Sequence, residues 1–327
     1  MSQTEINLKI HVETLCQAPR VPQSPGYFAA RKYLADSIRK IGFEPEYHDF
    51  FDIPAGACRN IYAEKGPKEG SRILLGAHYE SIACSGVAAD DNASAVALIL
   101  EVFRQLPDSI PVTVVFFDVE ENFGFGALHG SKKFSAFYRK PLAQVLIFDL
   151  VGGANFPGFE DGYFQFGNSL GRLENENLRF FNFPTIFLEP LGGLLARSDY
   201  RAFRNRGIPY TFISSGTPWY YHTEFDTPDR LDYKKMAGLV ETLVKELQKA
   251  KFPKNAPNWK QWPEFIGIVD QIPGMNSDFL EKLKTIESPT RWQIIKLYKA
   301  LLPLLRRERE ALWTESNKSL RIAQHRD

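Results

Sequence analysis

The stretch RILLGAHYESIACSGVAADDNASAVALILEVFRQLPDSIPVTVVFFDVEE, residues 72–121, decides the fold of this chain. It opens with RILLGA, an apolar run typical of a strand that is buried on both faces. The next segment, NASAVALILEVFRQL, is rich in helix formers and apolar at helical spacing. After Pro111 comes VTVVFFD, a β-branched and aromatic run that predicts a second buried strand. Strand, helix and strand in this order indicate an α/β protein.

The same alternation continues on both sides of this stretch. Upstream, Ser24 and Pro25 are typical of a helix start and Gly42 of its end. The other predicted elements are strands at FEPEYHDF and RNIYAEK, a helix over about 126–138, a strand at VLIFDL, a loop-rich stretch to about 183, a strand at TIFLE, a helix at SDYRAFRNRG, a strand at IPYTFIS and a helix at DYKKMAGLVETLVKELQKA. We therefore predict a three-layer α/β/α domain over residues 1–250, built on a central mixed, mostly parallel sheet.

The composition changes after Lys251, where a Pro- and Trp-bearing connector, KFPKNAPNWKQWPEFIG, begins. The following segment, SPTRWQIIKLYKALLPLLRRERE, places apolar residues on one helical stripe, and Pro303 predicts a kink in it. Residues 251–327 are thus predicted to be a helical C-terminal extension. Its apolar stripe suits packing on the main domain, a contact in a homo-oligomer, or a cap over the active site.

Composition excludes several classes of protein. With 327 residues, 44% of them hydrophobic and 24% charged, the chain has an ordinary globular composition. Forty Lys and Arg against 39 Asp and Glu give a net charge of +1, so no global field favours nucleic acid or an anionic membrane.

The three cysteines, Cys16, Cys58 and Cys84, have no CxxC spacing, which argues against a disulfide framework and a thiolate zinc site. The N-terminus has no apolar segment of signal-peptide length, and no run of about 18 uncharged apolar residues occurs. We therefore expect a cytoplasmic protein.

Side chains that bind metals follow the buried runs. They are His78, Asp90, the pair Glu120 and Glu121, Asp149 and His222. Residues at the ends of neighbouring strands converge on one sheet edge. A single histidine or acidic pair is usually structural or solvated. Together, however, unpaired carboxylates beside a core are costly, which favours a metal site.

The number of these side chains fits two zinc ions. A pair of zinc ions needs about two terminal ligands each and a carboxylate that bridges them. We assign His78 and Asp149 to one ion, Glu121 and His222 to the other, and Asp90 to the bridge. Glu120 is then free to act as a general base.

Six blocks of the sequence resemble the co-catalytic zinc aminopeptidases, whose relatives include glutamate carboxypeptidases and animal-type glutaminyl cyclases. The blocks are GAHYES, ADDNASAVALILE, FFDVEENFGFGALHGSKKF, FDLVG, SDYRAFRNRGIP and YYHTEFDTPDRLDY. The resemblance as a whole covers about residues 25–250. The resemblance implies a mixed eight-stranded sheet and a cis peptide between Asp90 and Asp91.

The resemblance also implies a mechanism. Two zinc ions lower the pKa of a shared water, Glu120 accepts its proton, and the hydroxide attacks a carbonyl that zinc polarises. Tyr221 matches a position that in some relatives donates a hydrogen bond to the oxyanion, although Tyr220 could serve instead. Asp199 and Asp226 also lie in matching blocks and are expected to support the ligands or staple loops, while a helix N-cap role is open for Ser198 or Asp199.

One position departs from the family pattern. Where the family usually has His-x-Asp, this chain has His78-Tyr79-Glu80. The usual Asp orients the far nitrogen of the histidine ligand. Glu80 carries an extra methylene, so we expect a weakened or shifted metal affinity and a site that is retained.

Three functions follow from these observations. The leading hypothesis is a zinc aminopeptidase that takes peptides with a free N-terminus, and the alternatives are a single-zinc glutaminyl cyclase and a non-catalytic binding protein. Residues 152–183 and 189–198 are expected to wall the substrate pocket. Their aromatic residues suit an apolar side chain, whereas Arg197 or Arg201 would suit a carboxylate.

Overall fold

The central feature of the fold is a mixed sheet, of which the described residues form eight strands. The computed structural model describes residues 1–53, 55–121, 128–154, 159–167, 173–183 and 198–249, together with short segments between 266 and 300. The strands are β1 (Glu46–Asp52), β2 (Gly56–Lys65), β3 (Arg72–His78), β4 (Val112–Phe117), β5 (Leu142–Phe148), β6 (Gly162–Gly167), β7 (Arg179–Phe183) and β8 (Tyr210–Ser214). Their order across the sheet is β1-β2-β4-β3-β5-β8-β6-β7.

The centre of this sheet is parallel and its flanks are mixed. Strands β4, β3, β5 and β8 run parallel to one another, whereas β2 and β6 pair antiparallel to this central group. Parallel pairing of four strands brings their carboxyl ends to the same edge. The predicted mixed, mostly parallel sheet is therefore confirmed.

Helices cover both faces of the sheet. They are α1 (Gln3–Leu15), α2 (Pro25–Ile41), α3 (Ser94–Gln105), α4 (His129–Phe137), α5 (Tyr200–Arg204), α6 (Tyr233–Leu247) and α7 (Ser277–Lys284). One apolar core joins α1, α2, α3 and α6 to one face of the sheet, and a second core joins α4 and α5 to the opposite face. The three-layer α/β/α architecture is confirmed.

Local sequence signals explain why several of these elements form. Strand β3 is buried along its whole length, and its consecutive residues Leu74 and Leu75 pack into the cores on opposite faces of the sheet. Helix α2 begins where Ser24 Oγ accepts the Tyr27 N–H, and it ends at Gly42 in the left-handed conformation (φ +100°). Among the described helices, none combines the length and apolar character that a membrane span requires.

The structure differs from the sequence prediction at two places. The stretch predicted to be loop-rich to about 183 contains β6 and β7, and the N-terminal α1 was not predicted. The predicted strand at TIFLE lies outside the described residues, as does most of the apolar stripe in the C-terminal extension. The boundary predicted at residue 250 stays a prediction.

Candidate metal centre

The candidate ligands lie at the carboxyl edge of the four central parallel strands. His78 is the last residue of β3, and Asp149 follows the last residue of β5. The pair Glu120 and Glu121 comes shortly after β4, and His222 lies in the segment between β8 and α6. The fold thus brings together residues that are up to 144 positions apart, His78 and His222.

One carboxylate, that of Asp91, lies between the two histidines. Asp91 Oδ1 is 3.4 Å from His78 Nε2, and Asp91 Oδ2 is 3.1 Å from His222 Nε2. On one side, His78 Nε2 is also 3.6 Å from Asp149 Oδ1, and on the other, His222 Nε2 is 3.1 Å from Glu121 Oε1. Each three-residue group could hold one metal ion, and the two groups share Asp91.

The structure places Asp91 between the two histidines, and not Asp90, to which the sequence analysis assigned the bridge. Asp90 Oδ1 accepts the Gly152 N–H (2.7 Å), and Asp90 Oδ2 accepts the Gly153 N–H (3.1 Å) and the Tyr220 hydroxyl (3.2 Å). Among the described residues, two of the groups that could hold a metal contain Asp91, and none contains Asp90. The cis peptide likewise joins Asp91 and Asn92, one bond later than the resemblance implies.

Asp226 holds the backbone of the two aspartates. Its carboxylate accepts the Asp90 N–H (2.7 Å) and the Asp91 N–H (3.0 Å), and its carbonyl accepts the Ala89 N–H (3.1 Å). Asp226 is fully buried. The expected loop-stapling role therefore fits its contacts, and these contacts help to set the direction in which Asp91 points.

The groups around Asp91 fit a zinc ion. His78 Nε2 and Asp149 Oδ1 are buried and have no hydrogen-bond partner among the described residues, although a buried polar atom ordinarily has one. A cation bound between them would satisfy both atoms. Imidazole nitrogen with carboxylate oxygen is a donor set that zinc accepts readily.

Electrostatics in the site reflect burial and close ionisable groups. Burial, followed by the negative charge of the neighbouring Asp91, raises the pKa of Glu121 to about 7. Burial alone would lower the pKa of His222, but hydrogen bonds to Asp91 and Glu121 outweigh it and raise that pKa to about 10. Without a metal, protons thus occupy this site, and a metal must displace them.

Glu120 lies beside the ligands with its side chain almost fully buried. A carboxylate oxygen of Glu120 is within 4.8 Å of ligand atoms of His78 and Glu121. Burial is the largest influence on Glu120 and raises its pKa well above the usual range. This position and this proton affinity suit a general base next to a metal-bound substrate.

Glu80 contacts His78 through its backbone. His78 Nδ1 is 3.2 Å from the Glu80 carbonyl oxygen, whereas the nearest Glu80 carboxylate oxygen is 3.9 Å away. The Glu80 carboxylate instead accepts the backbone N–H groups of Glu120 and Glu121. The side chain that replaces the family's usual Asp therefore does not make that residue's bond to the imidazole.

The two adjacent tyrosines have different surroundings. The Tyr220 hydroxyl is bonded to Asp90, and the residue is buried. Tyr221 is partly exposed, and its ring stacks on that of His222 with 3.7 Å between centroids. Asp90 therefore holds the hydroxyl of Tyr220 and not that of Tyr221.

Neither expected helix cap is present at the start of α5. Asp199 occupies the N-cap position, but no side-chain hydrogen bond caps the helix. Both carboxylate oxygens of Asp199 and the hydroxyl of Ser198 are buried and have no hydrogen-bond partner in the described part of the chain. Burial raises the pKa of Asp199 to about 7. Arg201 lies on α5, while Arg197 and most of the predicted pocket-wall segment 189–198 lie outside the described residues.

Sequence reasoning missed Lys235, which is buried beneath the site. Its Nζ donates to the Gly153 carbonyl oxygen (2.8 Å) and to Ser215 Oγ (3.1 Å). Burial lowers its pKa to about 8. A signal was present, because Lys235 lies four residues before the buried Leu239 on the apolar face of α6.

Left-handed backbone conformations also cluster here and were not predicted. Val119 precedes the glutamate pair with φ +49°, Leu150 follows Asp149 with φ +55°, and His222 itself has φ +56°. Non-glycine residues in this region are uncommon and are strained, and such strain concentrates at functional sites.

Comparison with known proteins places this site in a family. The chain is 27% identical to the glutaminyl-peptide cyclotransferase of Bos taurus over 283 residues, which covers 68% of this chain and 76% of that protein. Solved structures share the fold. A leucine aminopeptidase precursor from Bacteroides thetaiotaomicron has a TM-score of 0.61 at 20% identity, covering 76% of this chain and 97% of its own. A Zn-dependent exopeptidase from Parabacteroides distasonis has a TM-score of 0.59 at 19% identity, covering 74% and 97%.

A sequence model of the family matches the part of the chain that carries the site. The match extends over residues 60–247, from β2 to the end of α6, and includes every candidate ligand. It spans more than half of the chain. The chain therefore belongs to peptidase family M28.

Proposed function

We propose that this protein is a zinc-dependent aminopeptidase with two zinc ions. The observation that carries the proposal is the placement of Asp91, whose two oxygens face two different histidines, each with its own second carboxylate. A carboxylate shared between two sites is the arrangement that a two-metal hydrolase requires. His78, Asp91 and Asp149 would hold one ion, and Asp91, Glu121 and His222 the other.

Zinc in this position would supply a bound water of lowered pKa and a Lewis acid for the substrate carbonyl. The protein's own residues supply the proton transfers. Glu120 accepts a proton from the attacking water and returns it to the leaving amine, a cycle that its burial and raised pKa favour. Because burial raises the pKa of Tyr221, its hydroxyl keeps a proton that it can donate to the developing oxyanion.

Hydrolysis is favoured by the peptidase family to which the chain belongs, and the fold neighbours include a leucine aminopeptidase precursor and a Zn-dependent exopeptidase as well as glutaminyl cyclases. A second candidate is acyl transfer by a glutaminyl cyclase with one zinc, which the 27% identity to the bovine cyclotransferase favours. Both reactions begin with a peptide whose N-terminal amine is free. In the cyclase reaction this amine attacks the side-chain amide of Gln and ammonia leaves, so no water is consumed.

Mass spectrometry of a mixed pool of free-amino peptides, some with N-terminal Gln, tests the proposal. After incubation with zinc-loaded protein, we expect products shortened by one N-terminal residue. The chelator-treated protein, as a control, should produce none. If Gln peptides lose only ammonia and all other peptides stay intact, the protein is a glutaminyl cyclase and not an aminopeptidase.

A further inference from the structure

We propose that Glu80 is a positioning residue that fixes the backbone of the glutamate pair, a role that rests on the proposed function. Its Oε1 accepts the Glu120 N–H (2.5 Å) and the Glu121 N–H (2.9 Å). These two neighbours have different proposed tasks, since Glu120 is the base and Glu121 a zinc ligand. One buried oxygen atom thus sets the position of both.

The pair begins in a strained turn that needs such support. Val119, a β-branched residue, has φ +49° immediately before Glu120. Two further bonds hold the turn from the other side, the Leu128 N–H to the Glu120 carbonyl and the His129 N–H to the Val119 carbonyl, each 3.2 Å. Glu80 is 1% exposed, so water cannot readily replace its two hydrogen bonds, and their loss would cost free energy.

The Glu80 side chain does not act through the imidazole of His78. The His78 Nδ1 atom contacts the Glu80 backbone carbonyl, and the second carboxylate oxygen, Oε2, has no hydrogen-bond partner within the described ranges. Because the backbone carbonyl makes the contact with His78, the Glu80 side chain can extend from the end of β3 to the end of the neighbouring strand β4. The length of Glu serves this crossing, because an Asp side chain is shorter by one methylene.

This geometry predicts an unusual order among substitutions. Glu80→Gln keeps a carbonyl oxygen at the same reach, so it can still accept both N–H groups. Glu80→Asp keeps the charge but cannot reach both groups without a backbone shift. Length should therefore matter more than charge, which is the reverse of what an electrostatic role toward His78 would require.

The test compares both variants with the unaltered protein for zinc affinity against a competing chelator and for kcat and KM on a peptide substrate. We expect Glu80→Asp to lower zinc affinity and kcat by roughly 10- to 100-fold, as removal of support for a ligand does, with a smaller change in KM. Glu80→Gln should lose at most about threefold, since it retains both hydrogen bonds.

Three outcomes would overturn the proposal. The first is a Gln variant with lower zinc affinity and kcat than the Asp variant. The second is a pair of variants whose zinc affinity and kcat equal those of the unaltered protein. The third is an unchanged kcat in both variants while only their thermal stability falls. Zinc affinity is measured without substrate, so it tests the role of Glu80 even if the unaltered protein cleaves no peptide. An unaltered protein that cleaves no peptide would contradict the proposed function but not the role of Glu80.

Discussion

Two consecutive aspartates divide this site into two regions. Asp91 belongs to the candidate ligands, which are His78, Asp91, Glu121, Asp149 and His222. Here atoms such as His78 Nε2 and Asp149 Oδ1 are buried and have no hydrogen-bond partner among the residues that the structure describes. Asp90 belongs to the supporting residues, which are Asp90, Tyr220, Asp226 and Lys235. Hydrogen bonds engage both carboxylate oxygens of Asp90 and Asp226.

The contrast gives a physical criterion for a ligand. A carboxylate whose oxygens are fully hydrogen-bonded is already stabilised and acts as structure. A buried polar atom without a partner carries a free-energy penalty that a metal ion would remove. Residue type cannot distinguish these two states in an Asp-Asp pair, whereas the hydrogen bonds can.

The largest predicted effect separates the two aspartates. Asp91→Asn removes the charge shared by both groups, so we expect less than one zinc per chain and activity too low to detect. Asp90→Asn should keep its zinc but lose about 1–3 kcal/mol of stability, because its amide cannot accept both glycine N–H groups. Zinc analysis of the purified variants and thermal unfolding measure both effects. Loss of zinc from the Asp90 variant alone would reverse the assignment.

The next effect separates the two glutamates. Glu120→Gln should retain its zinc while kcat falls by roughly 10²–10⁴, the usual contribution of a general base. Glu121→Gln is the matched comparison, since the same change one residue later should reduce zinc binding. Steady-state kinetics with metal analysis would check the pair. Turnover at the parent rate by the Glu120 variant would contradict the proposed mechanism.

A smaller effect is expected from the supporting region. In Asp226→Asn, the amide nitrogen cannot accept one of the two backbone N–H groups that now orient Asp91. Zinc affinity should fall by about 10- to 100-fold. Asp229→Asn, an identical change at an exposed position three residues later, is the control. Equal zinc affinity in both variants, measured by chelator competition, would show that Asp226 does not support the ligand.

The smallest effect concerns stability and pH in the zinc-free protein. The Glu121 carboxyl has its pKa raised from 4.5 to about 7, and the His222 imidazole from 6.5 to about 10. Both groups hold protons in the folded state that the unfolded chain releases. Their contribution is therefore lost as pH rises, through about 4.5–7 for Glu121 and 6.5–10 for His222. The lowered pKa of Asp91 acts only at more acidic pH.

We accordingly expect the Tm of chelated protein to fall by a few degrees between about pH 5 and about pH 9. Zinc competes with protons, so the stabilisation that zinc adds should grow over the same interval. Thermal unfolding with chelator and with excess zinc would check this. A chelated protein that becomes more stable as pH rises would disprove the electrostatic account.

Sequence patterns predicted the central layers well because these depend on local signals. The buried runs of β3, β4 and β5 and the helical spacing of α3 are visible without tertiary information. Strands β6 and β7 were harder to predict. Each is short, and β6 pairs with β8 near one edge of the sheet, a partner about 50 residues later in the chain. Helix α1 did show apolar spacing at Leu8, Val12 and Leu15.

The ligand set predicted from the sequence differs from the group around Asp91 at one residue, and the difference has a physical cause. Four of the five residues proposed from the sequence, which are His78, Glu121, Asp149 and His222, are grouped around Asp91 in the structure. The choice between Asp90 and Asp91 depends on Asp226, a hydrogen-bond partner 135 residues or more away. Whether His78 contacts the carbonyl or the carboxylate of Glu80 likewise depends on the turn after β4, whose N–H groups bind that carboxylate. Such choices are set by tertiary contacts that no local pattern encodes.

Anomalous diffraction at the zinc edge from crystals of the zinc-loaded protein tests the central claim most directly. We expect two peaks about 3.5–4 Å apart, with Asp91 oxygens about 2.0–2.2 Å from each. His78 and Asp149 should surround one peak, and Glu121 and His222 the other. A single peak, or a pair of peaks bridged by Asp90, would contradict the account.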